Sequence, residues 1–374
     1  MRTRAAVLRQ VPGDWNIEEV ELDDPVDGEV LVEMVATGLC HTDDHFARGD
    51  APSEHLPFVG GHEGSGIVRE VGPGVHGLAV GDHIITSFSP ACGQCRWCAM
   101  GIANLCDNGA FIGAGKQLDG TYRMHTTDGL DVSTMALLGT FAEWQVYDQL
   151  SCVKIGKDIP LEVACLVACG VPTGFGSATS AGNVQPGDVV IVAGTGGIGM
   201  NAVQGASLSG AAHVIAVDPI ADKRKWALDF GATEGFESIR TAAGRVAELT
   251  NGQGADVCIL TAGLVPNDLL AEGFQAIRKA GTLVVTGICS ANENAPVPGV
   301  NARTLALLQK RIQGALYGMK SPREAMPMLL DLYRSGRLKL DELVTKVYSL
   351  DEINVGYHDM RDGRNIRGVI HFAK

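Results

Sequence analysis

The chain has 374 residues, 45% hydrophobic and 20% charged, with a formal net charge of -13. That length suits about two to three domains of roughly 150 residues and excludes a disulfide-stapled miniprotein. No stretch approaches the roughly 18 uninterrupted apolar residues of a membrane span, and no block of Lys or Arg offers the basic patch that nucleic acid or an anionic membrane would require, so neither partner is expected. The opening MRTRAAVLRQV is basic but runs into strand-like sequence without an apolar core or cleavage site, so a cytoplasmic location is expected. The 48 glycines, against 5% aromatics, suit a turn-rich β domain joined to an α/β domain.

Up to about residue 155 the pattern is short strand-like runs, such as Val30 to Val35, Gly66 to Val71 and Asp82 to Thr86, separated by glycine turns, and reads as all-β. From Asp188 the texture changes. VVIVAG, a helix from about Gly197 to Ser209, HVIAVD, a helix around Asp222 to Phe230, VCIL, a helix after Asn267, TLVVTG and RIQGAL alternate in the manner of a doubly wound parallel sheet. After Gly318 two amphipathic stretches, MPMLLDLYRSG and DEINVGYHDMRDG, precede a strand-like IRGVIHF, a tail expected to return to the first domain.

GTGGIG, Gly194 to Gly199, directly follows the apolar run Val189 to Ala193 and opens a helical pattern, the context of a dinucleotide fingerprint. Gly194 permits the tight turn and Gly196, with Gly197 beside it, lets backbone approach a pyrophosphate. Gly199 permits close helix packing, and the helix N-terminus offers unpaired N–H groups to the phosphates. Asp218, 19 residues after Gly199, ends the second strand where an acid can bond the adenosine ribose and repel a 2′-phosphate, which favours NAD over NADP. A structural glycine turn in another α/β fold is the plain alternative. Lys223 reads either as a ribose contact or as a solvated helix lysine.

Cys92, Cys95, Cys98 and Cys106 form C-x2-C-x2-C-x7-C, a spacing that wraps four thiolates around a tetrahedral zinc. An iron–sulfur reading fits less well, because its bacterial run wants three residues before the fourth cysteine and proline after it, whereas seven intervene here and Asp107 follows. With four sulfurs the site is closed and organises a loop. A second metal site is suggested by GLCHTDDH (Gly38 to His45) and GGHEG (Gly60 to Gly64), where Cys40 and His62 are ligand types that suit a catalytic zinc. In ACLVACG, Cys165 and Cys169 lie four apart, and spacing does not choose which is the third ligand and which is core.

The ordered set GLCHTDDH, GHEG, the four-cysteine lobe, CGVPTGFGSA, GTGGIG, the strand-ending Asp218 and IRGVIHF resembles the zinc-dependent medium-chain alcohol dehydrogenases over essentially the whole chain. The resemblance implies a GroES-like β-barrel catalytic domain over residues 1–170, completed by 317–374, and a Rossmann NAD-binding domain over 171–316. It implies two zinc ions per chain, a structural one on the four-cysteine lobe and a catalytic one on Cys40, His62 and Cys169. Glu63 matches a residue beside the catalytic zinc that can transiently coordinate it, and Asp43 an acid that orients the histidine ligand. Thr42 matches the group that takes the alcohol proton and passes it through the nicotinamide ribose to His45, expected to reach solvent.

The implied reaction is hydride transfer from a primary alcohol to NAD, giving the aldehyde. In closer detail the chain is similar to the actinobacterial NDMA-dependent, mycofactocin-associated branch, where NAD can stay bound and be recycled by an external redox acceptor. His41 stands where some members carry an arginine against the pyrophosphate, and Arg367 matches another phosphate-contacting position. Phe88 matches an apolar wall of the alcohol pocket. A thiol-dependent formaldehyde dehydrogenase is the nearest alternative, weakened because Ala110 replaces that branch's arginine, though Asp50 and Glu54 keep a mycothiol-type adduct in view. A noncatalytic NAD-binding protein is the alternative of another class, and retention of Cys40, Thr42, His62 and Cys169 argues against it. The family also implies a homo-oligomer, dimer or tetramer, with Thr282 to Gly287 and the loop to Pro298 expected to supply the pairing edge.

Overall fold

A computed structural model describes residues 1–50, 55–287 and 296–372; Glu54 and most of the loop after Gly287 lie outside the described residues. The chain forms two compact units, Met1–Cys169 with Ser321–Lys374, and Gly170–Lys320.

In the first unit the strands Arg2–Leu8, Trp15–Leu22, Met124–Thr126, Asp131–Thr134 and Phe58–Val59 close a small barrel. A larger sheet runs in the order Cys152–Ile155, His83–Thr86, Gly64–Val71, Glu29–Gly38, Arg367–His371, Val344–Tyr348, with Trp144–Asp148 also paired to Glu29–Gly38. Trp15 is a centre of the core: its ring stacks on Phe58 at 6.5 Å and Tyr357 at 6.4 Å and meets Phe141 edge-on at 5.5 Å. Asn354 closes the same contact, accepting from the Trp15 N–H at 3.1 Å and donating to its carbonyl at 2.8 Å, so the helix Ile353–Arg361 is locked to the barrel.

The register of the larger sheet creates a convergence point. Thr37 pairs with Gly64 and Gly38 with Val369, so Cys40, the His62–Glu63 pair and Arg367 all emerge at one end of the central strand. The helical segment Leu161–Ala168 comes to the same region, tied by the Ser65 hydroxyl to the Leu161 carbonyl at 2.6 Å, and delivers Cys169. The all-β expectation for this part misses the helix His41–Arg48, which follows Cys40 directly. With only Phe46 and Ala47 apolar, eight residues give too little periodicity to be seen.

The second unit holds a six-stranded, all-parallel sheet in the order Glu234–Phe236, His213–Val217, Val189–Ala193, Ala255–Leu260, Ile277–Val285, Arg311–Gly314. This is the doubly wound order 3-2-1-4-5-6, in which ligands bind beyond the carboxyl ends of the strands where the order reverses. Every residue of the Val189–Ala193 strand is buried, as a central parallel strand covered on both faces requires. The helix Gly197–Leu208 opens at the glycine turn. The helix Ile239–Leu249, not legible in the sequence, is set by a capping box in which Ser238 accepts from the Thr241 N–H at 3.1 Å while Thr241 answers the Ser238 N–H at 3.0 Å. A threonine plays the part usually taken by Glu or Gln, so the usual sequence signature is missing. Thr282 to Gly287 is not an edge: Ile277–Val285 is paired on both sides, and Arg311–Gly314 ends the sheet. No single helix among the described residues is long and apolar enough to cross a membrane.

Candidate active site

One ligand atom from each of Cys40, His62, Glu63 and Cys169 lies within 4.8 Å of the others, and all four residues are buried. Cys165, the sequence alternative to Cys169, turns away and donates to the Glu162 carbonyl at 3.5 Å. Asp43 accepts from the Gly61 N–H at 2.8 Å and faces His62 Nδ1 at 3.3 Å, which leaves Nε2 for the cluster. That fixes the imidazole from behind, the usual arrangement for a metal-ligating histidine. Burial pushes the His62 imidazole down, but the charges of Asp43 and Cys40 together outweigh it and hold it well above its usual range. The Cys40 thiol is drawn well below its ordinary value by the hydrogen bond from Cys169, helped by His62 and Arg367. The same hydrogen bond, with burial, pushes the Cys169 thiol up, and a dication bound there would displace its proton.

Glu63 is held from the far side by Arg367, whose Nη2 also donates to the Leu39 carbonyl at 3.1 Å. Burial raises the Glu63 carboxyl and Arg367 opposes the rise. Gly38 is required here, since a Cβ at that position would run into the Glu63 carboxylate and lie 2.9 Å from Arg367 Nη2. Sequence reading assigned Arg367 to a cofactor phosphate; the geometry adds the Glu63 pairing, for which no local sequence signal exists. Phe88 meets the His62 ring edge-on, with centroids 6.0 Å apart.

The donor set fits a catalytic zinc: two sulfurs and one imidazole nitrogen as ligands, with a carboxylate adjacent. Thr42 lies beside it, its Oγ1 3.6 Å from Cys40 Sγ. His41 and His45 follow on the same helix with ring centroids 6.4 Å apart. His45 does not itself open to solvent as expected: it is buried, and its Nδ1 is 3.0 Å from Asp50 Oδ2.

The four-cysteine lobe is assembled as its spacing requires. The Sγ atoms of Cys92, Cys95, Cys98 and Cys106 lie within 4.8 Å of one another, and the Cys92–Cys98 and Cys95–Cys106 separations are both 3.9 Å. Zinc–sulfur bonds of about 2.3 Å in a tetrahedron put sulfurs roughly 3.8 Å apart, so the cluster already has the size of a Zn(Cys)4 site. Backbone N–H groups point at the sulfurs, from Cys95 to Cys92 at 3.3 Å and from Cys98 to Cys95 at 3.5 Å. The N–H groups of Cys98 and Asp107 hold the Cys95 thiol down at about 6, ready to bind as thiolate. All nine cysteines of the described residues are free thiols. Ala110 lies in the turn Asp107–Phe111 that follows.

In the second unit Gly194 adopts φ 95°, and a Cβ there would sit 2.6 Å from the Ala262 nitrogen. A Cβ on Gly199 would collide with the Gly194 carbonyl, whereas one on Gly196 would meet nothing within 4 Å. The space over Gly196 is thus open for a phosphate at the helix N-terminus. Asp218 is buried, its Oδ2 accepting from the Thr195 N–H at 2.9 Å and its Oδ1 from the Ile220 N–H at 2.9 Å. These bonds fix the carboxylate beside the glycine turn, where it fits the ribose of a dinucleotide. Lys223 is half-buried in the first turn of the helix Ala221–Asp229.

Two family models match the chain, an alcohol dehydrogenase GroES-like domain over residues 26–157 and a zinc-binding dehydrogenase over residues 197–335. The chain is 50% identical over 370 residues to an NDMA-dependent alcohol dehydrogenase of Amycolatopsis methanolica, covering 99% of each. It is 44% identical over 374 residues to alcohol dehydrogenase B of Mycobacterium tuberculosis, covering 100% of this chain and 99% of the other. The crystal structure of benzyl alcohol dehydrogenase from Acinetobacter calcoaceticus superposes with a TM-score of 0.90 at 30% identity, covering 100% of both. A GroES-like domain, a doubly wound sheet and two preformed cysteine-containing clusters agree with these likenesses, and the chain belongs to the zinc-dependent medium-chain alcohol dehydrogenases.

Proposed function

We propose that this chain oxidises a primary alcohol to the aldehyde with NAD as hydride acceptor, using one catalytic and one structural zinc. The observation that carries the reading is the buried convergence of Cys40, His62, Cys169 and Glu63. When bound there, zinc would supply the Lewis acidity that lowers the pKa of a bound hydroxyl far enough to release its proton near neutral pH, as it does for bound water. Cys40, His62 and Cys169 are its ligands and Glu63, tethered by Arg367, the adjacent carboxylate. Asp43 orients His62. The Thr42 hydroxyl would accept the alcohol proton, and His45 would be the residue that finally receives it. Phe88 walls the alcohol and excludes water from the reacting carbon.

Gly194, Gly196, Gly197 and Gly199 cradle the pyrophosphate, Asp218 accepts from the ribose hydroxyls and Lys223 flanks them. His41 and Arg367 are assigned to the phosphates on resemblance. Asp218, pinned by two backbone N–H groups, cannot swing aside for a 2′-phosphate, which supports NAD over NADP. Retention of NAD between turnovers, with an external acceptor recycling it, is the finer reading, supported by the 50% identity to a protein named NDMA-dependent. We assign the chain to the cytosol and to a dimer or tetramer; the edge strand Arg311–Gly314, with Ile312 and Leu316 exposed, is the surface that would pair. The test is the nicotinamide spectrum of thoroughly desalted protein before and after adding a primary alcohol, alongside its zinc content. About two zincs per chain and a band of reduced nicotinamide without added cofactor support the full reading. Turnover only on adding NAD leaves the dehydrogenase but removes cofactor retention, and one zinc per chain leaves only the closed lobe.

A further inference from the structure

The helix His41–Arg48 ends in a two-bond cap. Gly49 takes φ 84° and its N–H donates to the Phe46 carbonyl at 3.2 Å, while the Asp50 N–H donates to the His45 carbonyl at 2.9 Å. These are the two bonds of a Schellman motif, which turns the chain through a left-handed residue and lays the residue after it against the one five positions earlier, commonly as an apolar contact. Here the facing side chains are an imidazole and a carboxylate, His45 Nδ1 and Asp50 Oδ2, 3.0 Å apart. The His45 side chain is 11% exposed and that of Asp50 46%. The other ring nitrogen, His45 Nε2, is buried without a hydrogen-bond partner.

A neutral imidazole carries one proton, and the hydrogen bond at one nitrogen decides which nitrogen keeps it. A carboxylate at Nδ1 can only accept, so Nδ1 holds the hydrogen and Nε2 presents a bare lone pair. An unpartnered buried lone pair costs free energy unless something arrives to bond it. We propose that Asp50 is a positioning residue of the proton path, holding His45 in the Nδ1–H tautomer so that Nε2 is the base that receives the proton released from the alcohol. This rests on the reading of His45 as the end of the relay. With NAD bound, the proton passed on from the Thr42 hydroxyl would arrive on Nε2, and the resulting imidazolium would be balanced by the adjacent Asp50 carboxylate, which faces water. Gly49 is part of the device, because no L-residue adopts its φ without strain.

The experiment uses the full-length, zinc-loaded enzyme and follows reduced nicotinamide in the transient phase with a primary alcohol that it turns over. Asp50→Asn and His45→Gln are each expected to slow that phase roughly 10- to 100-fold, at or below the low end of the ~10²–10⁴-fold of a positioned base, with alcohol KM little changed. Asp50→Glu and added imidazole buffer should restore much of the rate lost in Asp50→Asn. In ¹⁵N-histidine spectra, the His45 signal, identified by its loss in His45→Gln, should leave the Nδ1–H pattern in Asp50→Asn; a merely structural role would not move it. A wild-type transient and an unchanged His45 tautomer in Asp50→Asn, beside a slowed His45→Gln, would overturn the role of Asp50 and leave the relay standing. A wild-type rate in His45→Gln would overturn the relay and this proposal together.

Discussion

Arg367 and Glu63, 304 residues apart in the chain, form a buried ion pair behind the catalytic cluster. The pair explains why the C-terminal segment must return to the first unit: strand Arg367–His371 pairs with Glu29–Gly38 and brings the guanidinium to a carboxylate already fixed beside His62. Removing one member strands a buried charge, which typically costs about 3–5 kcal/mol. Arg367→Leu should therefore lower stability by about that amount, and the double change with Glu63→Gln by less than the sum of the single changes. Urea unfolding of the three variants checks this coupling.

Asp43 faces His62 Nδ1 at 3.3 Å, and on the proposed reading it would act on the metal through that ring. Asp43→Asn weakens the bond at His62 Nδ1 and should cut catalytic zinc affinity by about 10- to 100-fold. Dialysis against a graded chelator should take the variant from two zincs to one well before the wild type. A wild-type release curve would remove Asp43 from that role.

The four-cysteine lobe is a closed site and its loss should be structural. Cys106→Ser is expected to leave one zinc per chain, to lower the melting temperature, and to open residues 92–111 to protease before the rest of the unit. Retention of both zincs would place the second ion elsewhere.

On the proposed reading, Asp218 would set cofactor choice through hydrogen bonds to ribose. Loss of one hydrogen bond to a charged group is worth about 1.5–3 kcal/mol, so Asp218→Gly should shift the NAD-over-NADP ratio of kcat/KM by roughly 10- to 100-fold towards NADP. Steady-state kinetics with both cofactors measure it. An unchanged ratio would mean that discrimination lies elsewhere.

Asp359 ties the C-terminal segment together, accepting from Lys346 Nζ at 2.6 Å, Tyr348 Oη at 2.8 Å and Arg364 Nη1 at 2.9 Å. The hydrogen bond from Lys346, then that from Tyr348, hold its carboxyl down at about 2, below the roughly 3.9 of an unfolded aspartate. A depressed pKa stabilises the fold fully above the unfolded value, and the gain is lost as pH falls through the folded one. The stability gap between wild type and Asp359→Asn should hence be constant above about pH 5 and narrow between about pH 4 and pH 2. Chemical unfolding across that range tests it, and a gap independent of pH would show that charge is not the cause.

Much of this protein was determined by the sequence alone, wherever chemistry is packed into a short stretch of chain. Cys92, Cys95, Cys98 and Cys106 lie close enough in sequence that one loop can gather them, and Gly194 to Gly199 follows its strand and opens its helix without help from distant residues. The parallel alternation from Val189 onward is likewise local, because a strand buried on both faces must be apolar throughout. The helix His41–Arg48 and the capping box of Ser238 escaped notice because one has too few apolar residues to show a period and the other uses an unusual partner. The choice of Cys169 over Cys165, the pairing of Arg367 with Glu63 and the need for a bare Cα at Gly38 were decided by the tertiary structure. Each depends on strand register, which brings residues hundreds of positions apart to one end of a sheet, and no local pattern of side chains encodes a distance across that sheet.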